Sequence, residues 1–177
     1  MILHIVRHGE TVENQQRILQ GHMPGTLTPL GLEQARKAAQ ALQGTGEPFD
    51  AIIASDLQRT VITADIIGQA LGMPVTTTPL LRERDWGECT GMPISEARLH
   101  YYNDGRWTFP ASAETEEQIL DRAAQVLHTL RQQYPADTRL IIVTHGQIAR
   151  NIIAARFHCP TGEVTPLTNG EIRKLTI

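Results

Sequence analysis

The sequence predicts an α/β protein of three layers, in which helices cover both faces of a mostly parallel central sheet. The first observation is a set of three short apolar runs, at residues 2–6, 50–55 and 139–144. Each run is apolar almost throughout and does not alternate with polar residues, which is typical of parallel strands buried on both faces. The second observation is that helical patterns separate and follow these runs, as expected for strand–helix–strand units.

The composition is that of an average globular protein. The chain has 177 residues, of which 41% are hydrophobic and 20% charged, enough for a single domain over 1–177 with a sizeable core. The formal net charge of −3 argues against a general nucleic-acid-binding protein. No apolar run approaches the roughly 20 residues of a membrane helix, and a strand already begins near residue 2, where a signal peptide would otherwise stand. We therefore expect a cytoplasmic protein with no nucleic-acid or membrane partner.

Each predicted helix has a start signal or follows a strand directly. A helix over 28–42 begins at Thr28-Pro29, where threonine caps the helix and proline occupies its first position. Two later helices begin with residues spaced as a capping box, namely Ser55 with Gln58 and Thr115 with Gln118. The first of these ends at Gly72 and the second near residue 134, and a last helix covers 146–157.

Residues 83–114 show no clear period. They include both tryptophans and two of the three tyrosines, together with prolines and glycines. In a compact domain a long segment of this kind often forms a lid or a pocket wall. We predict an irregular, lid-like segment here, and a last strand or hairpin in the tail that follows residue 163.

Polar residues follow all three predicted strands: Arg7-His8-Gly9, then Ser55 with Arg59 in the first turn of the next helix, then Thr144-His145-Gly146. Ligands of open α/β sheets bind beyond the carboxyl ends of the strands. Two arginines, two histidines and a helix N-terminus should therefore surround one point. Arginine forks and free helix N–H groups both suit phosphate oxygens. The sequence thus predicts a phosphoryl site at this edge of the sheet.

Six ordered blocks of the sequence resemble the histidine phosphatase superfamily: VRHGET, ENQQRILQGH, LTPLGLEQA, SDLQRTVITA, LRERDWGECTG and VTHGQIAR. Within it, the chain is most similar to the branch that contains cofactor-dependent phosphoglycerate mutases and their phosphatase relatives. The blocks extend from residue 3 to about 153 and so cover nearly the whole chain. The resemblance implies a phosphoglycerate mutase-like fold and one histidine phosphatase domain over 1–177.

The resemblance also implies a role for each matching residue. His8 would be the nucleophile that takes the phosphoryl group onto a ring nitrogen. Glu83 would give a proton to the leaving alcohol and later help to activate water. The phosphate oxygens would be held by Arg7, Asn14, Arg59 and His145, and the substrate-binding residues would be Gln20, Gly21 and Gly146.

This chemistry requires neither a cofactor nor a metal ion. Neutral imidazole is nucleophilic near pH 7, and phosphoryl transfer needs mainly positioning and charge stabilisation, which arginines can supply. His4 and His8 have the spacing of metal ligands on a helix, but in a strand they would lie about 13 Å apart. We therefore reject a zinc site, and we expect Cys89 and Cys159 to be structural thiols.

The assignment of Glu83 depends on its neighbours. A general acid must hold a proton, whereas Arg82 and Arg84 would favour the ionised carboxylate if they pointed the same way. In an extended segment, adjacent side chains point to opposite sides, which would relieve this conflict. The alternative carboxylates are Glu10, Asp85 and Glu88.

Hydrolysis of a small phosphomonoester is the activity that the sequence favours. The mutases of the family are longer and enclose the phosphoenzyme, whereas a less shielded pocket lets water take the phosphoryl group. Glu13 also stands where the mutases usually show tryptophan. Mutase-type transfer and a phospho-ligand-binding regulatory protein stay open as alternatives, as does a homodimer. The candidates for substrate selection are Arg17, His22, Arg82, Arg84, Trp86, Tyr101, Tyr102 and Trp107.

Overall fold

A computed structural model describes residues 1–177. Its strands are β1 (Ile2–Arg7), β2 (Ala51–Ser55), β3 (Val75–Thr78), β4 (Tyr102–Asn103), β5 (Arg106–Trp107), β6 (Arg139–Thr144) and β7 (Ile172–Thr176). Its helices are α1 (Val12–Gln15), α2 (Pro29–Gly44), α3 (Gln58–Leu71), α4 (Ile94–Tyr101), α5 (Glu116–Gln133) and α6 (Gly146–Phe157). None of these helices combines the length and the apolar composition needed to cross a membrane.

Five strands form the central sheet, in the spatial order β3-β2-β6-β1-β7, while β4 and β5 form a separate hairpin. Strands β1, β2, β3 and β6 run parallel to one another, and β7 runs antiparallel to β1. The predicted mostly parallel sheet is confirmed, and so is the last strand in the tail.

Two pairs of helices cover the two faces of the sheet. Side chains alternate along β1, so Leu3 and Ile5 lie on one face while Val6 lies on the other. The first face packs on α5 and α6 through residues such as Ile119 and Ile148. The second face packs on α2 and α3. One buried cluster lies on each face of the sheet, between the sheet and a layer of helices. The three predicted layers are thus present.

Most of the predicted helix boundaries are confirmed. Thr28 caps α2, where its hydroxyl oxygen accepts a hydrogen bond from Gly31 N at 3.0 Å. Thr115 and Gln118 form a reciprocal capping box at the start of α5. Gly72 ends α3 in the left-handed conformation, with φ of 67°, as its position in the sequence predicts.

The predicted capping box of Ser55 with Gln58 is wrong. Helix α3 begins only at Gln58, and Leu57 occupies the cap position without a side-chain hydrogen bond. Ser55 is still the last residue of β2 and uses its hydroxyl elsewhere, since its Oγ lies 2.8 Å from His145 Nε2. The chain therefore makes a short turn before the helix and leaves Ser55 at the sheet edge.

Residues 83–114 are more regular than the sequence predicts. The expectation of an irregular segment is wrong for the part that forms α4 and the β4–β5 hairpin. Helix α4 has only eight residues, and the hairpin strands have two residues each, so none of them is long enough to show a clear period. Trp86 anchors the segment in a small buried cluster with Leu19, Cys89 and Ala97.

The loop after β1 lies directly against the first turn of α2. A Cβ atom on Gly9 would lie 2.1 Å from Gly31 O, and one on Gly31 would lie 2.0 Å from Glu10 O. Both contacts are with backbone atoms, so only glycine at both positions lets these two segments of the chain approach this closely. The contact fixes the path of the chain just after His8.

Substitution of the glycines of α2 tests this contact. Gly31→Ala is expected to lower the free energy of unfolding by about 1–3 kcal/mol, because the facing backbone must move. Gly44→Ala is the matched control, since a Cβ atom there meets nothing within 4 Å, and it should raise stability by about 0.5–1 kcal/mol. Urea unfolding measures both changes, and equal effects of the two substitutions would contradict the close approach.

Candidate active site

The two histidines of the site leave the sheet side by side. Strands β1 and β6 are parallel neighbours in which Arg7 pairs with Thr144, so the residues that follow, His8 and His145, start at the same level of the sheet edge. Their ring centroids are 5.2 Å apart. His8 is 2% exposed and His145 is completely buried. The structure thus brings these two strand ends together as the sequence predicts.

The ring of His8 has a fixed tautomer and orientation. Its Nδ1 lies 2.7 Å from Gly9 O, and because a carbonyl oxygen only accepts hydrogen bonds, Nδ1 carries the proton. The lone pair is therefore on Nε2. Arg59 Nε donates to that nitrogen at 3.3 Å. The nitrogen of a neutral His8 that carries the lone pair thus points toward a guanidinium group.

Arg59 joins the first turn of α3 to the loop at 20–25. Its Nη1 donates to Met23 O at 2.5 Å, and its Nη2 donates to Gly21 O at 2.9 Å. The residue is 1% exposed. The second arginine of the site, Arg7, donates from Nη1 to Leu167 O at 2.6 Å. Both guanidinium groups are thus oriented by backbone carbonyls.

Three buried polar atoms near His8 have no hydrogen-bond partner: Arg7 Nε, Gln20 Oε1 and His145 Nδ1. A buried polar group without a partner costs about 1–3 kcal/mol. All three belong to residues that the sequence predicts for the site. A bound polar ligand would provide the partners that the protein does not.

Asn14 is held in place by an asparagine from the other end of the chain. Its Oδ1 accepts hydrogen bonds from Thr11 N at 3.2 Å and from Asn169 Nδ2 at 3.1 Å. Asn169 Nδ2 also donates to His8 O at 3.1 Å. Asn169 therefore ties Asn14 to the backbone of the histidine, a link that the sequence analysis did not predict.

Glu83 lies at the N-terminus of α6. Its Oε1 accepts hydrogen bonds from Gln147 N at 3.0 Å and from Ile148 N at 3.3 Å. The first N–H groups of a helix lack partners within the helix and carry partial positive charge, so they attract a carboxylate. A Cβ atom on Gly146 would lie 3.6 Å from Arg7 Cζ and 3.7 Å from Glu83 Oε2. The carboxylate and the Arg7 guanidinium thus lie close to the same point.

The arginines that flank Glu83 are engaged elsewhere. Arg82 pairs with Asp56, at 2.7 Å from Nε to Oδ1 and 2.6 Å from Nη2 to Oδ2. Arg84 pairs with the carboxylate of Glu116. Neither guanidinium pairs with Glu83, so the conflict raised by their positions in the sequence is relieved.

Arg122 of α5 holds the backbone that carries Glu83. Its Nη1 donates to Leu80 O at 2.9 Å and to Arg82 O at 2.7 Å, and its Nη2 donates to Glu83 O at 3.4 Å. The same guanidinium forms a bidentate ion pair with Glu114, with distances of 2.8 and 2.7 Å. One mostly buried arginine therefore fixes the segment before and at Glu83 to α5.

Burial and positive charge set the protonation of the histidines. Burial, reinforced by Arg59 and Arg7, holds the pKa of His8 well below its usual value. Burial and Arg59 do the same to the pKa of His145. Burial also lowers the pKa of Arg59 to about 10, which leaves this guanidinium charged near neutral pH. The site therefore combines neutral imidazoles with charged arginines.

These side chains border a cleft of about 190 Å³. Seven of the residues predicted for the site line it, namely Arg7, His8, Asn14, Gln20, Arg59, Glu83 and Gly146. Two others do not, since His145 packs on the ring of His8 and Gly21 serves as an acceptor for Arg59. Glu83 is the only carboxylate in the wall, whereas the alternatives Glu10, Asp85 and Glu88 lie outside it.

The cleft also contains residues that the sequence analysis missed. Gln147 and Arg150 of α6 line it, and their separation by three residues places them on one face of the helix. That spacing, directly after Thr144-His145-Gly146, is the signal that could have identified them. Asn169 carries no such signal, because it lies in a loop outside the matching blocks.

The remaining candidates for substrate selection are dispersed. Trp86 lines the cleft, and Arg84 and Trp107 line a cavity beside it. His22 and Arg82 line a separate polar cavity.

No group of three or more histidine, cysteine, aspartate or glutamate side chains is arranged to hold a metal ion, and both cysteines are free thiols.

Known proteins share both the sequence and the fold. The chain is 34% identical over 142 residues to an uncharacterised phosphatase, PhoE, of Bacillus subtilis, covering 80% of this chain and 70% of that protein. It is 33% identical over 169 residues to the glucosyl-3-phosphoglycerate phosphatase of Mycolicibacterium vanbaalenii, covering 88% of this chain and 74% of that protein. The solved structure of a mycobacterial glucosyl-3-phosphoglycerate phosphatase superposes with a TM-score of 0.83 at 26% identity, over 98% of this chain and 88% of that one.

A family model gives the same assignment over nearly the full length. The model of the histidine phosphatase superfamily, branch 1, matches residues 3–177. The resemblance carried by the six sequence blocks is thus confirmed, together with the fold that it implies. The chain belongs to branch 1 of the histidine phosphatase superfamily, and it is a phosphatase.

Proposed function

We propose that this protein hydrolyses a small phosphomonoester without a metal ion, through a phosphohistidine formed on His8 Nε2. The observation that carries the proposal is a buried, neutral histidine whose unprotonated Nε2 faces Arg59. Beside it lie two buried nitrogens without partners, Arg7 Nε and His145 Nδ1. A phosphate group in the cleft at His8 Nε2 would lie against Arg59 and would give Arg7 Nε an acceptor.

The first step is attack of the Nε2 lone pair of His8 on phosphorus. The ester P–O bond breaks, and the leaving oxygen takes a proton from Glu83. The hydrogen bond from Nδ1 to Gly9 O keeps the ring aimed and stabilises the positive charge that the ring acquires. The product is a phosphohistidine and a free alcohol.

The second step transfers the phosphoryl group to water. Glu83, now a carboxylate, accepts a proton from a water molecule that attacks phosphorus as the N–P bond breaks. Inorganic phosphate leaves and His8 regains its lone pair. The same carboxyl group thus acts first as an acid and then as a base.

The arginines supply the charge stabilisation that both steps need. The phosphoryl oxygens carry negative charge throughout the transfer, and fixed guanidinium groups stabilise it with no reorganisation. Arg7 and Arg59 are fixed by backbone carbonyls. Asn14 adds an amide at the wall of the cleft, where Asn169 holds it.

Removal of the nucleophile tests the first step. His8→Ala should lower phosphate release from simple esters by at least about 10³-fold, because no other side chain takes the phosphoryl group. His128→Ala, a histidine on the exposed side of α5, should retain the native rate. Rates are measured with a chelator present, and the native protein should form an acid-labile phosphoenzyme. A chelator-sensitive rate, or an active His8→Ala variant, would contradict the proposal.

Substitution of Glu83 tests the proton transfer. Glu83→Gln should lower kcat about 10²–10⁴-fold for alkyl phosphates, whose leaving oxygen must be protonated. It should cost much less for formation of the phosphoenzyme from 4-nitrophenyl phosphate, whose leaving group departs as an anion. Glu88→Gln serves as the matched control, since Glu88 is exposed and outside the cleft. Equal losses on both esters would show that Glu83 does not protonate the leaving group.

The neutral histidines predict a dependence of stability on pH. The pKa values of His8 and His145 lie below 6.5 in the folded state, so below that pH the unfolded chain binds more protons. Their contribution to stability is complete above pH 6.5 and falls as the pH drops toward the folded values, by at most about 1.4 kcal/mol per pH unit for each. The free energy of unfolding is measured by urea unfolding between about pH 7 and pH 5. Its slope against pH should be smaller for His8→Asn than for the native protein. Identical slopes would contradict a neutral His8.

A further inference from the structure

A second cavity of about 300 Å³ opens beside the catalytic cleft. We name it the aromatic annex and define it by its walls: Leu19, Arg84, Trp86, Ile94, Trp107, Phe109, Glu116, Gln147 and Arg150. Five of these residues, Leu19, Trp86, Ile94, Gln147 and Arg150, also line the cleft. The two cavities therefore adjoin, and a leaving group that extends from the phosphate toward these shared residues lies next to the annex.

The far wall of the annex is made of aromatic rings. Trp107 and Phe109 are stacked, with ring centroids 4.9 Å apart and an angle of 2° between their planes. Trp86 lies 4.8 Å from Phe109 at an angle of 49°. Such rings give a large contact area and favour another flat ring stacked or edge-on.

Trp107 is the part of this wall that lies outside the buried clusters of the fold. Trp86 is buried in the small core of the segment at 83–114, whereas Trp107 lies on β5 and is 40% exposed. The β4–β5 hairpin makes no strand pair with the central sheet. Trp107 is thus a large apolar side chain that borders the annex and can be altered without opening the main core.

The polar groups of the annex are mostly occupied. Arg84 pairs with Glu116 and lies over the rings of Trp86 and Phe109, at 4.7 and 5.2 Å from their centroids. Arg150 donates through Nε and Nη2 to the carbonyl oxygens of residues 164 and 161 and has no carboxylate partner. The annex therefore offers apolar surface with a single unpaired cation where it joins the cleft.

We propose that the aromatic annex binds the leaving alcohol through a flat, apolar ring, so that the preferred substrates are phosphomonoesters of alcohols that carry an aromatic ring. The proposal rests on the proposed function for the position of the phosphate. A hydroxyl-rich leaving group such as a sugar would lose its hydrogen bonds to water where it lies against the aromatic part of the wall, Trp86, Trp107 and Phe109. A ring instead replaces water on apolar surface and stacks on Trp107.

The test compares esters whose leaving alcohols are similar in basicity. The value of kcat/KM is measured for 2-phenylethyl phosphate, ethyl phosphate and glucose 6-phosphate. The native protein should favour the ring ester over each of the others by at least about tenfold. This comparison does not depend on the folding of any variant.

Variants then locate the preference. Trp107→Ala should lower kcat/KM for 2-phenylethyl phosphate about tenfold more than for ethyl phosphate, and Trp107→Phe should restore most of the difference. Phe157→Ala is the matched control, because Phe157 is 59% exposed and lies at the far end of α6, so the ratio between the two esters should stay native.

Distinct results overturn the proposal. Similar values for all three esters, a higher value for glucose 6-phosphate, or equal losses on both alkyl esters in Trp107→Ala would each refute binding of a ring in the annex. Release of phosphate would still occur in those outcomes, so the proposed function would stand. No release from any of the esters would overturn the proposed function, and the annex proposal with it.

Discussion

The parallel pairing of β1 with β6 is the constraint on which the site depends. Its register sets Arg7 opposite Thr144 and so places His8 beside His145. A slip of one residue would turn Leu3 and Ile5 out of the buried cluster that they form with α5 and α6. The burial pattern that stabilises the sheet is therefore also what positions the two histidines. The same strand pairing therefore stabilises the sheet and sets the geometry of the candidate site.

Arginines inside the cleft and arginines around it have different hydrogen-bond partners. Within the cleft, Arg7 and Arg59 are held by backbone carbonyls, which orient a guanidinium without cancelling its charge. Around the cleft, other arginines are paired with carboxylates: Arg82 with Asp56, Arg84 with Glu116 and Arg122 with Glu114. Positive charge thus stays available for an anion at His8 and is neutralised at Arg82, Arg84 and Arg122.

How much the sequence can predict depends on the range of the signal. The apolar runs that became β1, β2 and β6, and the threonine caps of α2 and α5, are local patterns, and all were predicted. Strand β3 was missed because it is a partly exposed edge strand, and its sequence, VTTT, contains no apolar run. The capping box at Ser55 failed because α3 begins only at Gln58, and the Ser55 hydroxyl contacts His145, the residue that follows β6.

The same distinction holds for the site. The histidines, the arginines and Glu83 lie in sequence blocks that resemble a known family, so they could be identified as candidate site residues from the sequence. The contacts that hold them in position come from distant parts of the chain: Arg122 lies on α5, and Asn169 lies beyond α6. Such contacts depend on three-dimensional packing, and no spacing in the sequence reveals them.

The isolation of the β4–β5 hairpin has an evolutionary consequence. Its strands pair only with each other, while His8, the proposed nucleophile, directly follows β1 of the central sheet and Glu83 is fixed to α5 and α6. Substitutions in the hairpin can therefore reshape the wall of the aromatic annex, to which Trp107 contributes, while leaving the phosphate site intact. Related proteins can in this way apply the same chemistry to different metabolites. The central sheet and its helices are then inherited unchanged, and selection for a new substrate acts on the β4–β5 hairpin.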